Sequence, residues 1–223
     1  MVIEVSAKDR KSLFDEVKSK APGLSEKEIN SMIDELLDSR KRYTAQKRRF
    51  LPELMKYRAA GEWQKFIDRA LTVYEVMPEA FRYFDEVPDS MKYDFAISAY
   101  IHHGDSVPAV RRAVRKCRQY GAPELPADLR DKEQITVYRA GEEPRGKAAY
   151  RLSWTTDRRI AEFFLNEYVH RHANFLYQAQ IKTADIIAYV DDREEREVLQ
   201  YRKVFDIQDI TDRIGVNQHE TND

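Results

Sequence analysis

Apolar residues recur at a helical spacing through the first half of the chain, and the clearest case follows Ser25. There they fall three or four residues apart, at Ile29, Met32, Ile33, Leu36 and Leu37. This period of about 3.6 residues predicts an amphipathic helix with one buried face. Ser25 and Glu28 have the spacing of a capping box, in which each side chain satisfies a free backbone N–H group at the helix start. Leu24, just before the cap, is expected to pack onto the first turn.

Other helices are predicted on both sides of this one, up to about residue 120. They are a helix near Lys8–Lys20, a block from Trp63 that stops before Pro78, a helix from about Ser90 to His102, and a short basic helix after Pro108. Proline fits the first turn of the last helix. We therefore expect residues 1–130 to form a helical domain that recognises a target or docks onto a larger assembly.

The pattern changes after Tyr120, where Gly121, Pro123 and Pro126 mark a connection. Beyond it, short β-rich runs predict strands at Ile135–Arg139, Tyr150–Trp154, Phe175–Ile181, Ile186–Val190, Glu197–Tyr201 and Val204–Ile207. One helix is expected among them, near Arg158–His170. The fold class predicted is α+β, with a compact β-sheet domain over residues 131–223 that ends in a polar tail.

Charge is nearly balanced, with 38 Lys+Arg against 39 Asp+Glu and a net charge of −1. This balance argues against wholesale wrapping of nucleic acid, which leaves a basic excess. A local basic run exists at residues 40–49, where Tyr43 and Phe50 stand among or beside six cations. Such a run either binds phosphate backbones or forms a solvated helix face.

A single cysteine, Cys117, cannot form an intramolecular disulfide or an unaided zinc site, and we expect a buried side chain there. We expect no metal site, since His102 and His103 have no further ligand at helical spacing. The chain shows no signal-peptide pattern and no run of about 18 apolar residues, which predicts a cytoplasmic protein without a membrane partner.

Three short islands in the last third of the chain carry the candidate chemistry. They are ITVYRAG at Ile135–Gly141, RLSWTTD at Arg151–Asp157 and REEREVLQ at Arg193–Gln200. An arginine falls at the end of the first predicted strand, Ser-x-Thr follows in the second island, and Glu-x-Glu opens the third. Each motif alone is common, but their order and their places at strand ends are more specific.

The islands resemble the arginine–serine–glutamate class of ADP-ribosyltransferases, which includes bacterial toxins and bacteriophage enzymes. The resemblance covers about residues 133–210 and implies a compact split β-sheet fold with NAD as substrate. It further implies transfer of ADP-ribose to a protein acceptor in a bacterial or phage-infected cell, with release of nicotinamide.

The chemistry explains why carboxylates are needed. Nicotinamide leaves NAD as a neutral molecule, so it needs no proton, whereas the ribose becomes positively charged and gains from a nearby anion. The resemblance assigns that role to Glu197, which would bind the ribose 2′-hydroxyl. It assigns to Glu195 the task of orienting and deprotonating the acceptor, an arginine in Glu-x-Glu members. Residues two apart on a strand share a face, which favours Glu195 over Glu194 as partner to Glu197.

The other islands supply binding groups by the same resemblance. Arg139 would bind the NAD pyrophosphate or adjacent ribose, and the backbone of Ala140 and Gly141 would hold the nicotinamide amide. Ser153 would orient the glutamate, and Thr155 fills the second hydroxyl position. The rival interpretation is that these residues cap the helix that follows. Capping explains Thr156 and Asp157 well, and Thr155 could belong to the same turn, but capping does not explain Ser153.

Two departures from the larger toxins stand out. Arg139 and Ser153 are only 14 positions apart, so the helix that usually lies between them is missing or reduced. The aromatic residue that stacks on nicotinamide is not identifiable among Tyr168, Phe163 and Tyr177. Two other functions remain open: an interaction protein that keeps the β-domain as an inactive scaffold, and a nucleic-acid binder that uses residues 40–49.

Overall fold

The computed structural model describes residues 7–104, 107–167, 173–192 and 194–213. The chain divides into two compact units, Met1–Ala80 and Phe81–Asp223. This division differs from the boundary expected near residue 130. Within the described residues, no helix combines the length and the apolar character needed to cross a membrane.

The described part of the first unit, from residue 7 onward, contains four helices: α1 (Ala7–Lys20), α2 (Glu26–Ala59), α3 (Trp63–Thr72) and α4 (Met77–Ala80). The capping box at the start of α2 is confirmed, because the Ser25 backbone donates to Glu28 Oε2 and the Glu28 backbone donates to Ser25 Oγ. The block predicted to stop before Pro78 instead ends at Thr72, and Pro78 lies in the first turn of α4.

The predicted apolar face of α2 is partly wrong. Ile29, Ile33 and Leu37 are buried and pack with residues of α1 and with Leu24. The other two predicted core positions, Met32 and Leu36, are 49% and 41% exposed. The buried stripe keeps a strict four-residue spacing, so it is narrower than the predicted stripe.

The second unit begins with a 3-10 helix at Phe81–Glu86 and continues with α5 (Asp89–His103), α6 (Pro108–Cys117), α7 (Ala127–Arg130), α8 (Arg145–Ala148) and α9 (Arg158–Glu167). The last three residues predicted for the final helix lie outside the described residues. Residues 81–117 belong to this unit for a physical reason: the hydroxyl of Tyr93 on α5 donates to the backbone oxygen of Ile187 in the sheet at 2.7 Å.

Six antiparallel strands form one sheet in the order β4-β5-β2-β1-β3-β6. They are β1 (Gln134–Gly141), β2 (Ser153–Thr155), β3 (Phe175–Lys182), β4 (Ile186–Val190), β5 (Glu197–Gln200) and β6 (Phe205–Asp209). Each predicted strand is found, although β2 is shorter and lies later than Tyr150–Trp154.

The described strands form one continuous sheet, whereas the resemblance implied a split β-sheet. Its two halves meet at β1 and β2, where the described residues form one Cα pair, Tyr138 with Thr155. By contrast, β1 pairs with β3 along its whole length. The narrow junction between β1 and β2 is where Arg139 and Ser153 come close.

Both faces of the sheet carry apolar side chains. Val137 and Tyr177 belong to the larger cluster on one face, which also contains Trp154, as expected for a core residue. The alternate residues Tyr138 and Leu176 pack on the other face with Ala161 of α9. This alternation follows from the two-residue period of strands.

Candidate functional site

All seven predicted site residues line one cleft of about 610 Å³ in the second unit. They are Arg139, Ala140, Gly141, Ser153, Thr155, Glu195 and Glu197. The cleft lies beside the junction of β1 and β2 and is bordered by β5, α5 and α9. The three islands of the sequence therefore come together at one place.

Glu197 is a buried carboxyl group in the cleft, held between two neighbouring strands. It is the first residue of β5, it is 6% exposed, and it pairs with Thr155 on one side and Val190 on the other. Ser153 Oγ donates a hydrogen bond to Glu197 Oε1. Since Ser153 pairs with Leu199, it reaches the glutamate as a diagonal cross-strand neighbour. The sheet register thus fixes this contact.

Tyr100 is a site residue that the sequence did not reveal. Its hydroxyl donates to Glu197 Oε1 at 2.6 Å, and its side chain, 5% exposed, also lines the cleft. In the sequence it appears as one apolar position of a predicted helix. The only available signal was its hydroxyl, because a buried tyrosine usually needs a hydrogen-bond partner.

Arg139 spans the junction of the two halves of the sheet. Its Nη1 donates to the backbone oxygen of Ser153 at 2.8 Å. Two residues later, a β-carbon at Gly141 would lie 2.8 Å from Glu143 Oε2, so glycine permits that close approach. The strand continues to Gly141, whose backbone oxygen accepts a hydrogen bond from Asn174 at 3.1 Å.

Glu195 lies in the turn before β5 rather than on a strand, so the alternation argument for it was wrong. Its neighbours Glu194 and Arg196 have φ of 58° and 46°, in the left-handed region that side chains rarely adopt. Glu195 nevertheless lines the same cleft as Glu197, whereas Glu194 is exposed. The turn geometry, not strand alternation, directs Glu195 there.

Hydrogen bonds from β2 and its continuation hold this turn. Thr155 Oγ1 donates to the backbone oxygen of Glu195 at 2.7 Å, and the Thr156 backbone donates to that of Arg196 at 3.0 Å. On the other side, the Arg196 backbone donates to Asp191 Oδ1 at 2.9 Å. Left-handed residues of this kind persist only where surrounding contacts stabilise them.

Thr155 also takes part in the turn that precedes α9, as the capping interpretation expected. Its Oγ1 accepts a hydrogen bond from the Asp157 backbone at 3.0 Å. Asp157 Oδ1 in turn accepts from the Arg159 backbone at 2.9 Å. The hydrogen bonds and ion pair with Arg159 lower the pKa of the Asp157 carboxyl. Thr155 therefore connects the helix start to the glutamate turn.

Further charged and aromatic residues complete the cleft. Arg151 forms an ion pair with Glu143, and Glu142 lies beside them. Neither charged residue of this pair was predicted as part of the site. The aromatic side chains in the lining are those of Tyr100, Tyr138, Trp154 and Phe164.

None of the described aromatic residues that the sequence suggested for stacking on nicotinamide lines the cleft. Tyr168 lies outside the described residues. Neither of the two that are described, Phe163 and Tyr177, lines the cleft. Phe163 is 53% exposed, and Tyr177 is buried in the core, where its hydroxyl donates to the Glu143 backbone. Phe164 is the neighbouring aromatic residue that faces the cleft.

Two other kinds of reactive site, a cysteine nucleophile and a metal centre, have little support. Cys117 is buried, as expected, and burial raises the pKa of its thiol to about 12. Among the residues that the structure describes, no group of three or more His, Cys, Asp or Glu side chains is arranged to hold a metal ion.

Comparison with known proteins adds no relative. No protein-family model matches the chain, and no curated protein or solved structure matches it either.

Proposed function

We propose that the chain is a mono-ADP-ribosyltransferase that cleaves NAD at the nicotinamide–ribose bond and transfers ADP-ribose to a protein acceptor. The observation that supports this most directly is the buried Glu197 carboxyl group, held at one oxygen by Ser153 and Tyr100 in a cleft that also contains Arg139. Of these residues, Arg139, Ser153 and Glu197 were predicted from the sequence, and Tyr100 was not.

Glu197 would act on the ribose. As the bond to nicotinamide breaks, positive charge develops on the sugar, and a carboxylate held beside it stabilises the transition state more than the ground state. Such stabilisation is strongest when the anion does not have to reorient during the reaction. The two hydroxyl donors on Oε1 provide that fixed orientation.

Arg139 would bind the pyrophosphate of NAD. A guanidinium presents several donors in a planar fork that fits phosphate oxygens and stays charged at any working pH. Arg151, the second guanidinium in the cleft, is held by Glu143. Arg139 on β1 would therefore meet the anionic middle of NAD, and the carboxylates at β5 would meet its cationic end.

Glu195 would bind and orient the acceptor. A guanidinium is a poor nucleophile while it is protonated, so a nearby carboxylate that orients it and accepts its proton assists attack on the sugar. The resemblance favours arginine as the acceptor residue. The glutamate turn, held by Thr155 and Thr156, keeps this second carboxylate in the cleft.

The test is transfer of label from NAD to protein in a bacterial lysate, together with nicotinamide release. We expect Glu197→Gln, which keeps the side-chain shape, to reduce both by at least about 100-fold, the scale seen when one transition-state group is removed. Glu194→Gln is the matched control, because it makes the same charge change at an exposed position in the same turn.

Glu195→Gln separates the two carboxylates. It should lower transfer to protein more than it lowers nicotinamide release, since water can replace the protein acceptor. Transfer that survives Glu197→Gln would remove Glu197 from the mechanism. Absence of both label transfer and nicotinamide release for the unaltered chain, across several lysates, would favour an inactive scaffold that serves as an interaction protein.

A nucleic-acid-binding function is the second candidate, and one observation favours it. On α2 the cations Arg40, Lys41, Arg42, Arg48 and Arg49 are exposed, while Lys47 pairs with Glu79 at 3.4 Å. Binding to mixed DNA and RNA that weakens steeply with salt is expected in that case. Absent or salt-insensitive binding would end this candidate.

A further inference from the structure

Two tyrosines connect α5 to neighbouring strands of the sheet. Tyr93 donates to the backbone oxygen of Ile187 on β4 at 2.7 Å, and Tyr100 donates to Glu197 Oε1 on β5 at 2.6 Å. Residues seven apart are separated by two helical turns and lie on the same face. One face of α5 is thus bonded to two adjacent strands, and one of these bonds ends on the carboxyl group of the site.

The surroundings of Tyr100 make its hydrogen bond a strong one. The side chain is buried, and the preceding Ala96 and Ala99 are fully buried on the same helix. A hydrogen bond to an ionised acceptor is about twice as strong as a neutral one. It is also electrostatically stronger in a low-dielectric interior than in water.

The direction of this bond is as important as its strength. Ser153 approaches Glu197 Oε1 from β2, and Tyr100 approaches the same oxygen from α5. One donor would still allow the carboxyl group to turn about its bond to that donor. Two donors on different elements fix both the position of the oxygen and the plane of the group, which is how a site is preorganised.

We infer that Tyr100 is a positioning residue, which together with Ser153 holds the Glu197 carboxylate in the orientation that faces the ribose of NAD. This inference rests on the proposed function. Tyr100 lies outside residues 133–210, the region that resembles the transferases, and yet it completes the site. Helix α5, expected to belong to a docking domain, is therefore part of the catalytic unit.

The test compares two variants of the full chain, Tyr100→Phe and Tyr93→Phe. Each loses one hydroxyl from the same face of α5 and keeps its ring, but only Tyr100 touches Glu197. We expect Tyr100→Phe to lower kcat for nicotinamide release by roughly 10- to 100-fold, the scale of one hydrogen bond to a charged group. KM for NAD should stay within about twofold, because the bond orients a carboxylate and does not hold the substrate.

Tyr93→Phe provides the structural control. It should leave kcat within about threefold of the unaltered chain, even if it destabilises the fold as much as Tyr100→Phe does. Equal kcat values for the two variants, with an active unaltered chain, would overturn the role of Tyr100 and leave the proposed function standing.

A second measurement needs no NAD and detects the contact itself. Free energies of unfolding in urea are compared for Tyr100→Phe, Glu197→Met and the double variant, and for the same cycle with Tyr93→Phe, because methionine keeps the length of the side chain but removes the acceptor oxygen. The Tyr100 cycle should be non-additive, and the Tyr93 cycle additive. Additive Tyr100 effects would refute the inference. An unaltered chain without NAD turnover would reject the proposed function, and a coupled Tyr100 cycle would then show a structural contact alone.

Discussion

Removing the Ser153 hydroxyl tests how the carboxyl group of the site is held. Ser153→Ala deletes one of the two hydroxyl donors to Glu197 Oε1. A hydrogen bond to a charged group contributes about 1.5–3 kcal/mol. Because Tyr100 continues to hold the same oxygen, we take the lower part of that range, about 1.5–2 kcal/mol, which corresponds to roughly a 10- to 30-fold decrease in kcat.

The same variant should leave NAD binding nearly unchanged. Arg139 bonds the backbone oxygen of Ser153 and not its hydroxyl, so the arginine keeps its place when the side chain is shortened. Steady-state nicotinamide release over a range of NAD concentrations separates the two effects. The control is Ser19→Ala, which removes a serine hydroxyl that donates to the backbone oxygen of Glu16 at 2.8 Å and does not line the cleft. Two results for Ser153→Ala would refute the reasoning: a change in KM for NAD with kcat unaltered, or a kcat equal to that of the control.

Three further predictions concern separate features. Arg139→Lys should weaken NAD binding about 10-fold in calorimetry, because a lysine cannot form the paired contacts of a guanidinium; unchanged affinity would exclude Arg139 from the NAD contacts. The pKa of Asp157 is lowered in the folded state, so its ion pair with Arg159 stabilises the fold above about pH 3.9, the ordinary Asp value, and this stabilisation is lost as the pH falls through the lower folded pKa. At neutral pH, the free energy of unfolding in urea should be at most about 1 kcal/mol higher for the unaltered chain than for Asp157→Asn, because Arg159 is 87% exposed. A difference between the two proteins that grows as the pH falls would contradict this prediction. Cys117, whose thiol pKa is raised to about 12 by burial, should react with a thiol reagent only after unfolding, and rapid labelling of the native chain would show that the thiol is accessible.

The sequence was most informative where the signal is local. The capping box at Ser25 and the strand Ile186–Val190 were both predicted at the positions where they occur. Each depends on neighbouring residues, whose spacing determines which groups can meet. The convergence of Arg139, Ser153 and Glu197 was predicted from motif order, which a resemblance supplies and periodicity does not.

The missed features depend on contacts between distant residues. Tyr100 and Glu197 are 97 residues apart, and nothing in the helical pattern around Tyr100 points to a carboxyl group. The connection near Gly121 and Pro123 suggested a domain boundary, because turn residues show where the chain bends but not which elements pack together afterwards. Likewise, the left-handed backbone on both sides of Glu195 had no signal in the sequence, because neither neighbour is a glycine.

The left-handed backbone at Glu194 and Arg196 has a consequence for which substitutions the chain tolerates. A conformation of this kind suits glycine, asparagine and aspartate, whereas β-branched side chains are sterically poor in it. In saturation mutagenesis, valine and isoleucine should be depleted at positions 194 and 196. We expect this even though neither Glu194 nor Arg196 has a proposed role in the reaction. The narrow choice of amino acids there would reflect backbone geometry rather than any chemistry of their own side chains.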